Sequence, residues 1–138
     1  MVLKTLKDFY KLPLKKYVNN NIVTVNAEDS VQKTIEVMHK NNVGFIIVLY
    51  DKDRYGILSE RDIIKEYAME LYDFYEKPVG EIMTITPVTV EHNDSIGKAF
   101  ELMDKNSIRH LPVIKKNELV GIISIRDLAH ALVEAFPH

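Results

Sequence analysis

The chain of 138 residues contains no cysteine, which removes both a disulfide framework and a thiolate metal site. It also has no apolar run long enough to span a bilayer. The stretch VGFIIVLY, from Val43 to Tyr50, falls far short of the ~20 residues a spanning helix needs. The first residues carry no secretory signal, so a soluble, cytoplasmic domain without membrane contact is expected. An excess of charge of either sign is lacking too. The 18 Lys and Arg against 20 Asp and Glu leave a net charge of −2, which gives no global field to attract nucleic acid or membrane. One local exception is the basic start, where Lys4, Lys7, Lys11, Lys15 and Lys16 are opposed only by Asp8. It reads as a solvated helix face, or as an arm for single-stranded nucleic acid whose affinity would fall steeply with salt.

Signs of catalysis are equally thin. The five histidines, His39, His92, His110, His130 and His138, show no metal-ligand spacing. No nucleophile elbow, P-loop or paired-carboxylate constellation appears. No catalytic residue, metal site or bound cofactor is expected.

What the chain does contain is a repeat. The tripeptide Asp8-Phe9-Tyr10 returns as Asp73-Phe74-Tyr75, and the same offset aligns "VTVNAEDSVQKTIEVMHKN" with "VTVEHNDSIGKAFELMDKN". It also aligns "GILSERDI", from Gly56, with "GIISIRDL", from Gly121. From Ile22 to Ile63 the register holds without a gap, at about sixteen identities in forty-two positions. The chain is therefore two copies of one unit, residues 6–70 and 71–135. A unit of ~60 residues buries too little surface to be stable alone, so residues 1–138 are expected to form one module.

Each copy opens on a β-branched stretch, Val23 to Val25 or Val88 to Val90, which suits a strand. Asp29-Ser30 and Asp94-Ser95 supply helix N-caps. Val31, Ile35 and Met38, and likewise Ile96, Phe100 and Met103, recur at helical spacing. Asn41 and Asn106 end those helices. Buried strands follow over Val43–Tyr50 and Ile108–Ile114, then polar turns, then strands over Tyr55–Leu58 and Leu119–Ile123. A last helix begins at Ser59 or Ser124. The unit is β-α-β-β-α, twice over, and two such units would pair most simply through their sheets about a pseudo-twofold axis. The class is α/β mixed (α+β).

Two short motifs offer chemistry. Ser59-Glu60-Arg61-Asp62 and Ser124-Ile125-Arg126-Asp127 read as capping boxes, with serine as N-cap and the acid near the positive end of the helix dipole. The same geometry presents unpaired N–H groups to a phosphate and a carboxylate to a ribose. In "SIRHLPV", Arg109 and His110 interrupt an otherwise apolar strand where it starts. They are either surface residues at a strand end or a phosphate grip, for which the forked guanidinium is well shaped. The first copy has Gly44-Phe45 there and lacks both charges.

At these residues the sequence resembles the tandem cystathionine-β-synthase (CBS) domain pair, the Bateman module, over nearly the whole chain. The resemblance implies a non-catalytic regulatory module that binds an adenosine-containing ligand (AMP, ADP or ATP) in the cleft between the two copies and senses energy or metabolite state. It implies that Ser59, Arg61 and Asp62, or Ser124, Arg126 and Asp127, hold phosphate and ribose, with Arg109 and His110 on the phosphates. It implies that Asn21, Ile22 and Val23, and Thr86, Pro87 and Val88, lie beside the adenine. Val43 and Ile108 would be apolar walls, and Phe45 would stack on or wall a base. An S-adenosylmethionine-type ligand is the near alternative; it lacks phosphate, which the Arg109-His110 pair disfavours. A homodimer is expected, with an unidentified regulated protein as a further partner.

Overall fold

The computed structural model describes residues 5–51, 54–69, 73–85 and 88–136. Lys4, Thr86, Pro87 and His138, all singled out in the sequence, lie outside these residues, as do Lys52 and Asp53 of the first polar turn.

The first copy forms β1 (Thr24–Asn26), α2 (Val31–Lys40), β2 (Phe45–Leu49), β3 (Tyr55–Ser59) and α3 (Glu60–Met69), after a short helix α1 (Leu6–Tyr10). The second forms β4 (Val90–Glu91), α4 (Ile96–Asn106), β5 (His110–Lys115), β6 (Glu118–Ser124) and α5 (Ile125–Ala135). Two elements were not legible as periodicity: single 3₁₀ turns at Leu14–Tyr17 and Val79–Glu81, each entered through a proline, Pro13 or Pro78. Each copy builds a three-stranded sheet with its β2-type strand in the middle, parallel to the strand before α2 or α4 and antiparallel to the strand after it. The expected β-α-β-β-α order and mixed α+β class are what the structure shows.

Local chemistry explains the element ends. Ser30 Oγ accepts the Lys33 N–H and Ser95 Oγ the Lys98 N–H, capping α2 and α4. Asp29 and Asp94 serve the preceding turns instead, accepting the N–H groups of Asn26 and Glu91 at 2.9 Å. The Asn26 hydrogen bond is the main reason the Asp29 carboxyl sits below its ordinary pKa; Lys33, at 3.2 Å, adds to it. At the far ends Asn42 and Ser107 adopt left-handed φ of 53° and 54°, turning the chain from each helix into its central strand.

In space the chain divides into two compact units that differ from the two copies in sequence. One comprises Ile22–Pro87, the other Met1–Asn21 together with Val88–His138. Each copy's lead-in thus belongs with the body of the other copy. The duplicated Asp-Phe-Tyr shows why, since its phenylalanine is an anchor in both places. Phe9, fully buried, sits in one core with Val90, Ile96, Ala99, Leu111 and Leu128. Backbone bonds fasten the same lead-in: the Leu14 N–H to the Asp94 carbonyl at 2.9 Å, and the Ile96 N–H to the Leu12 carbonyl at 2.8 Å. In the other unit Phe74 is buried and meets Tyr67 edge-on at 5.3 Å. There the Val79 N–H reaches the Asp29 carbonyl at 2.7 Å, the counterpart of the Leu14 bond. That unit's core is Val25, Met38, Ile46, Val48, Leu58 and Val79.

The final helices of the two copies differ in burial. α5 buries Leu128 and Ala131, whereas α3 fully buries no residue, and Ile64 and Tyr67 face solvent. No helix among the described residues is long and apolar enough to cross a membrane.

Candidate functional site

Both Ser-x-Arg-Asp motifs form reciprocal caps. Asp127 N–H donates to Ser124 Oγ at 3.1 Å, while Asp127 Oδ2 accepts from the Ser124 N–H at 2.8 Å and its hydroxyl at 2.9 Å. In the first copy the corresponding Ser59–Asp62 distances are 3.2, 3.0 and 2.9 Å. Each cap uses only Oδ2. The second oxygen, Oδ1, receives no hydrogen bond from the described residues. Capping and ligand binding are therefore compatible. The cap fixes the half-buried carboxylate in one rotamer and leaves one oxygen to accept a hydroxyl. Arg61 and Arg126, one residue earlier, are exposed.

The strand starts come directly alongside these caps. The Ile125 N–H donates to the Arg109 carbonyl at 2.9 Å, and His110 pairs opposite Ser124 across β5 and β6. In the first copy the Glu60 N–H donates to the Gly44 carbonyl at the same 2.9 Å, and Phe45 pairs opposite Ser59. Arg109 is thus beside the Ser124–Asp127 cap, with an exposed side chain, while His110 is half-buried. Val43 and Ile108 are half-buried and pack against the cores of their own units. Phe45 is only 7% exposed, so in this conformation it is a core residue of β2.

The lead-ins dock on the last strand of each sheet. Asn19 exchanges two 2.9 Å backbone bonds with Ile122 of β6, two residues before the Ser124 cap. Asn21 belongs to that unit, whereas Ile22 and Val23 belong to the other, where the Val23 carbonyl accepts the Ile47 N–H at 3.1 Å. Thr84 exchanges bonds of 2.8 and 3.0 Å with Ile57 of β3, beside the first copy's cap, while Val88 packs in the other unit's core. The docked residues Asn19 and Thr84 each stand two positions before the segments Asn21–Val23 and Thr86–Val88. Sequence reasoning passed over Gly56 and Gly121, which make this docking possible. A Cβ on Gly121 would meet Val18 and stand 2.7 Å from the Asn19 carbonyl oxygen; one on Gly56 would stand 2.8 Å from the Thr84 carbonyl oxygen. Gly121→Ala is expected to destabilise by about 1–3 kcal/mol, the usual cost of overpacking, read as a lower melting temperature.

Next to the Arg109 region, a groove of about 570 Å³ opens between α1, α4 and the start of α5. It shares Ile108 and Ile125 with the site but none of the polar residues just described. No group of three or more metal-ligating side chains occurs among the described residues.

The CBS domain family model matches twice, at residues 14–69 and 79–134. The chain belongs to the CBS domain family. It is 33% identical over 116 residues to the CBS domain-containing protein YhcV of Bacillus subtilis, covering 84% of this chain and 82% of that one. Among solved structures, an uncharacterized conserved protein from Pyrococcus horikoshii superposes with a TM-score of 0.82 at 29% identity, over 89% of this chain and 93% of that one. A CBS domain protein from Pyrobaculum aerophilum, solved in complex with AMP, superposes with a TM-score of 0.77 at 30% identity, over 90% and 98% of the two chains.

Proposed function

We propose that this chain is a non-catalytic regulatory module that binds an adenosine-containing ligand, AMP, ADP or ATP, and reports energy or metabolite state to a protein it regulates. The observation that carries this reading is the doubled cap. In each unit a helix begins on an aspartate locked by Oδ2, with Oδ1 left to accept a ribose hydroxyl. In the second copy Arg109 stands at the adjoining strand start, where a guanidinium can grip a phosphate. The AMP complex of the Pyrobaculum relative supports the choice of ligand class. Arg109 and His110 would hold the phosphate and Asp127 the ribose. Titration calorimetry with AMP, ADP, ATP, adenosine and S-adenosylmethionine tests this. Binding of at least one adenine nucleotide is expected; no heat from any adenosine compound would overturn it.

The same chain is proposed to act as a homodimer. On α3, Ile64, Tyr67 and Met69 are 67%, 58% and 80% exposed, and exposed apolar side chains on one helix favour association. Light scattering at micromolar concentration should give twice the chain mass, and a monomer alone would count against the proposal.

A further inference from the structure

Comparing the two caps position by position reveals a reversal of charge. In the second copy the strand-start residue is Arg109 and the first helical residue is Ile125. In the first copy these are Gly44 and Glu60. Their backbones are equivalent, since Ile125 and Glu60 each donate an N–H to the strand-start carbonyl at 2.9 Å. The side chains are not. A Cβ on Gly44 would stand 2.9 Å from Glu60 Oε1 and 3.1 Å from Cδ. The Glu60 carboxylate therefore occupies the space through which an arginine at position 44 would leave the backbone. Glu60 forms no salt bridge with any described residue and stands, exposed, at the start of α3.

We infer that Glu60 is a specificity residue that makes the first-copy site refuse a 5′-phosphate and accept a nucleoside that is uncharged or cationic at that position. The inference rests on the reading of the caps as adenosine sites. At the strand start where the second copy carries the cation of Arg109, the first carries the carboxylate of Glu60, and a negative charge beside the cap disfavours a bound phosphate. The ribose-facing part is unchanged, because Ser59 and Asp62 keep the same cap as Ser124 and Asp127. The two sites of one chain are thus built to bind different 5′ chemistry, so that a phosphorylated and an unphosphorylated nucleoside can occupy the protein together.

The test reads each site separately through backbone amide resonances, those of Asp62 and Asp127, in ¹⁵N-labelled full-length protein. With AMP, the Asp127 signal should move at concentrations at least about tenfold below those that move Asp62. Adenosine should move both over a similar range. The cationic analogue 5′-amino-5′-deoxyadenosine should bind at Asp62 more tightly than adenosine does. Glu60→Gln keeps the size of this exposed side chain and removes its charge. It should tighten AMP at Asp62 by about tenfold and abolish the preference for the amino analogue, with adenosine unchanged. If Glu60→Gln leaves both the AMP and the amino-analogue titrations at Asp62 as they were, the inference is wrong, while a response at Asp127 keeps the adenosine-binding reading intact. If no adenosine compound moves either resonance, both fall.

Discussion

Arg109→Ala is expected to weaken AMP binding roughly tenfold to hundredfold and to leave adenosine unchanged. The range follows from the ~1.5–3 kcal/mol that a hydrogen bond to a charged group contributes, and from the absence of any phosphate on adenosine. Geometry favours this residue because its backbone carbonyl holds the first N–H of α5, which ties the base of its side chain to the Ser124–Asp127 cap. Truncation of Asp127 should behave differently. It should weaken AMP and adenosine alike, since both carry the ribose. It should also lower stability by about 0.5–2 kcal/mol through loss of the cap. Calorimetry on the two variants with both ligands decides the matter. Equal losses of AMP and adenosine in Arg109→Ala would make this arginine a strand-end charge with no phosphate role.

Phe9→Ala is expected to cost about 3–5 kcal/mol, the range for deleting a buried phenylalanine, and to lower the melting temperature by at least about 10 °C. Phe9 is fully buried and packs at ring-centroid distances of 6.5 Å from Phe100 and 6.3 Å from Phe136. Its loss should loosen the lead-in it anchors. The Asn19 and Ile122 amides, which bond to each other's carbonyls, should then exchange with solvent faster. Leu6→Ala, one turn away and 54% exposed, should stay within about 0.5 kcal/mol of the parent. Equal effects of the two substitutions would show that the amino-terminal helix is not held by its phenylalanine.

Much of this protein was legible before any coordinates. The repeat, the β-α-β-β-α order, the Ser30 and Ser95 caps and the Ser-x-Arg-Asp helix starts are local features. Each depends on side-chain spacing and capping within a few residues, so composition and period reveal them. The partnership of Arg109 with the second cap is nearly as local, because β5 and β6 are joined by a two-residue turn, Lys116-Asn117, and pair along their length.

Tertiary structure alone decided which lead-in docks on which copy. Duplication is the reason: the receiving positions, Gly56 and Gly121 or Asp29 and Asp94, are identical in the two copies, so the sequence offers either lead-in two equivalent seats. Only packing chose, placing Phe9 in the core of the second copy and Phe74 in the unit of the first. The Glu60 carboxylate over Gly44 was hidden for the same kind of reason. A glycine and a glutamate sixteen residues apart carry no periodic signal, and it takes the antiparallel pairing of β2 with β3 to bring one over the other.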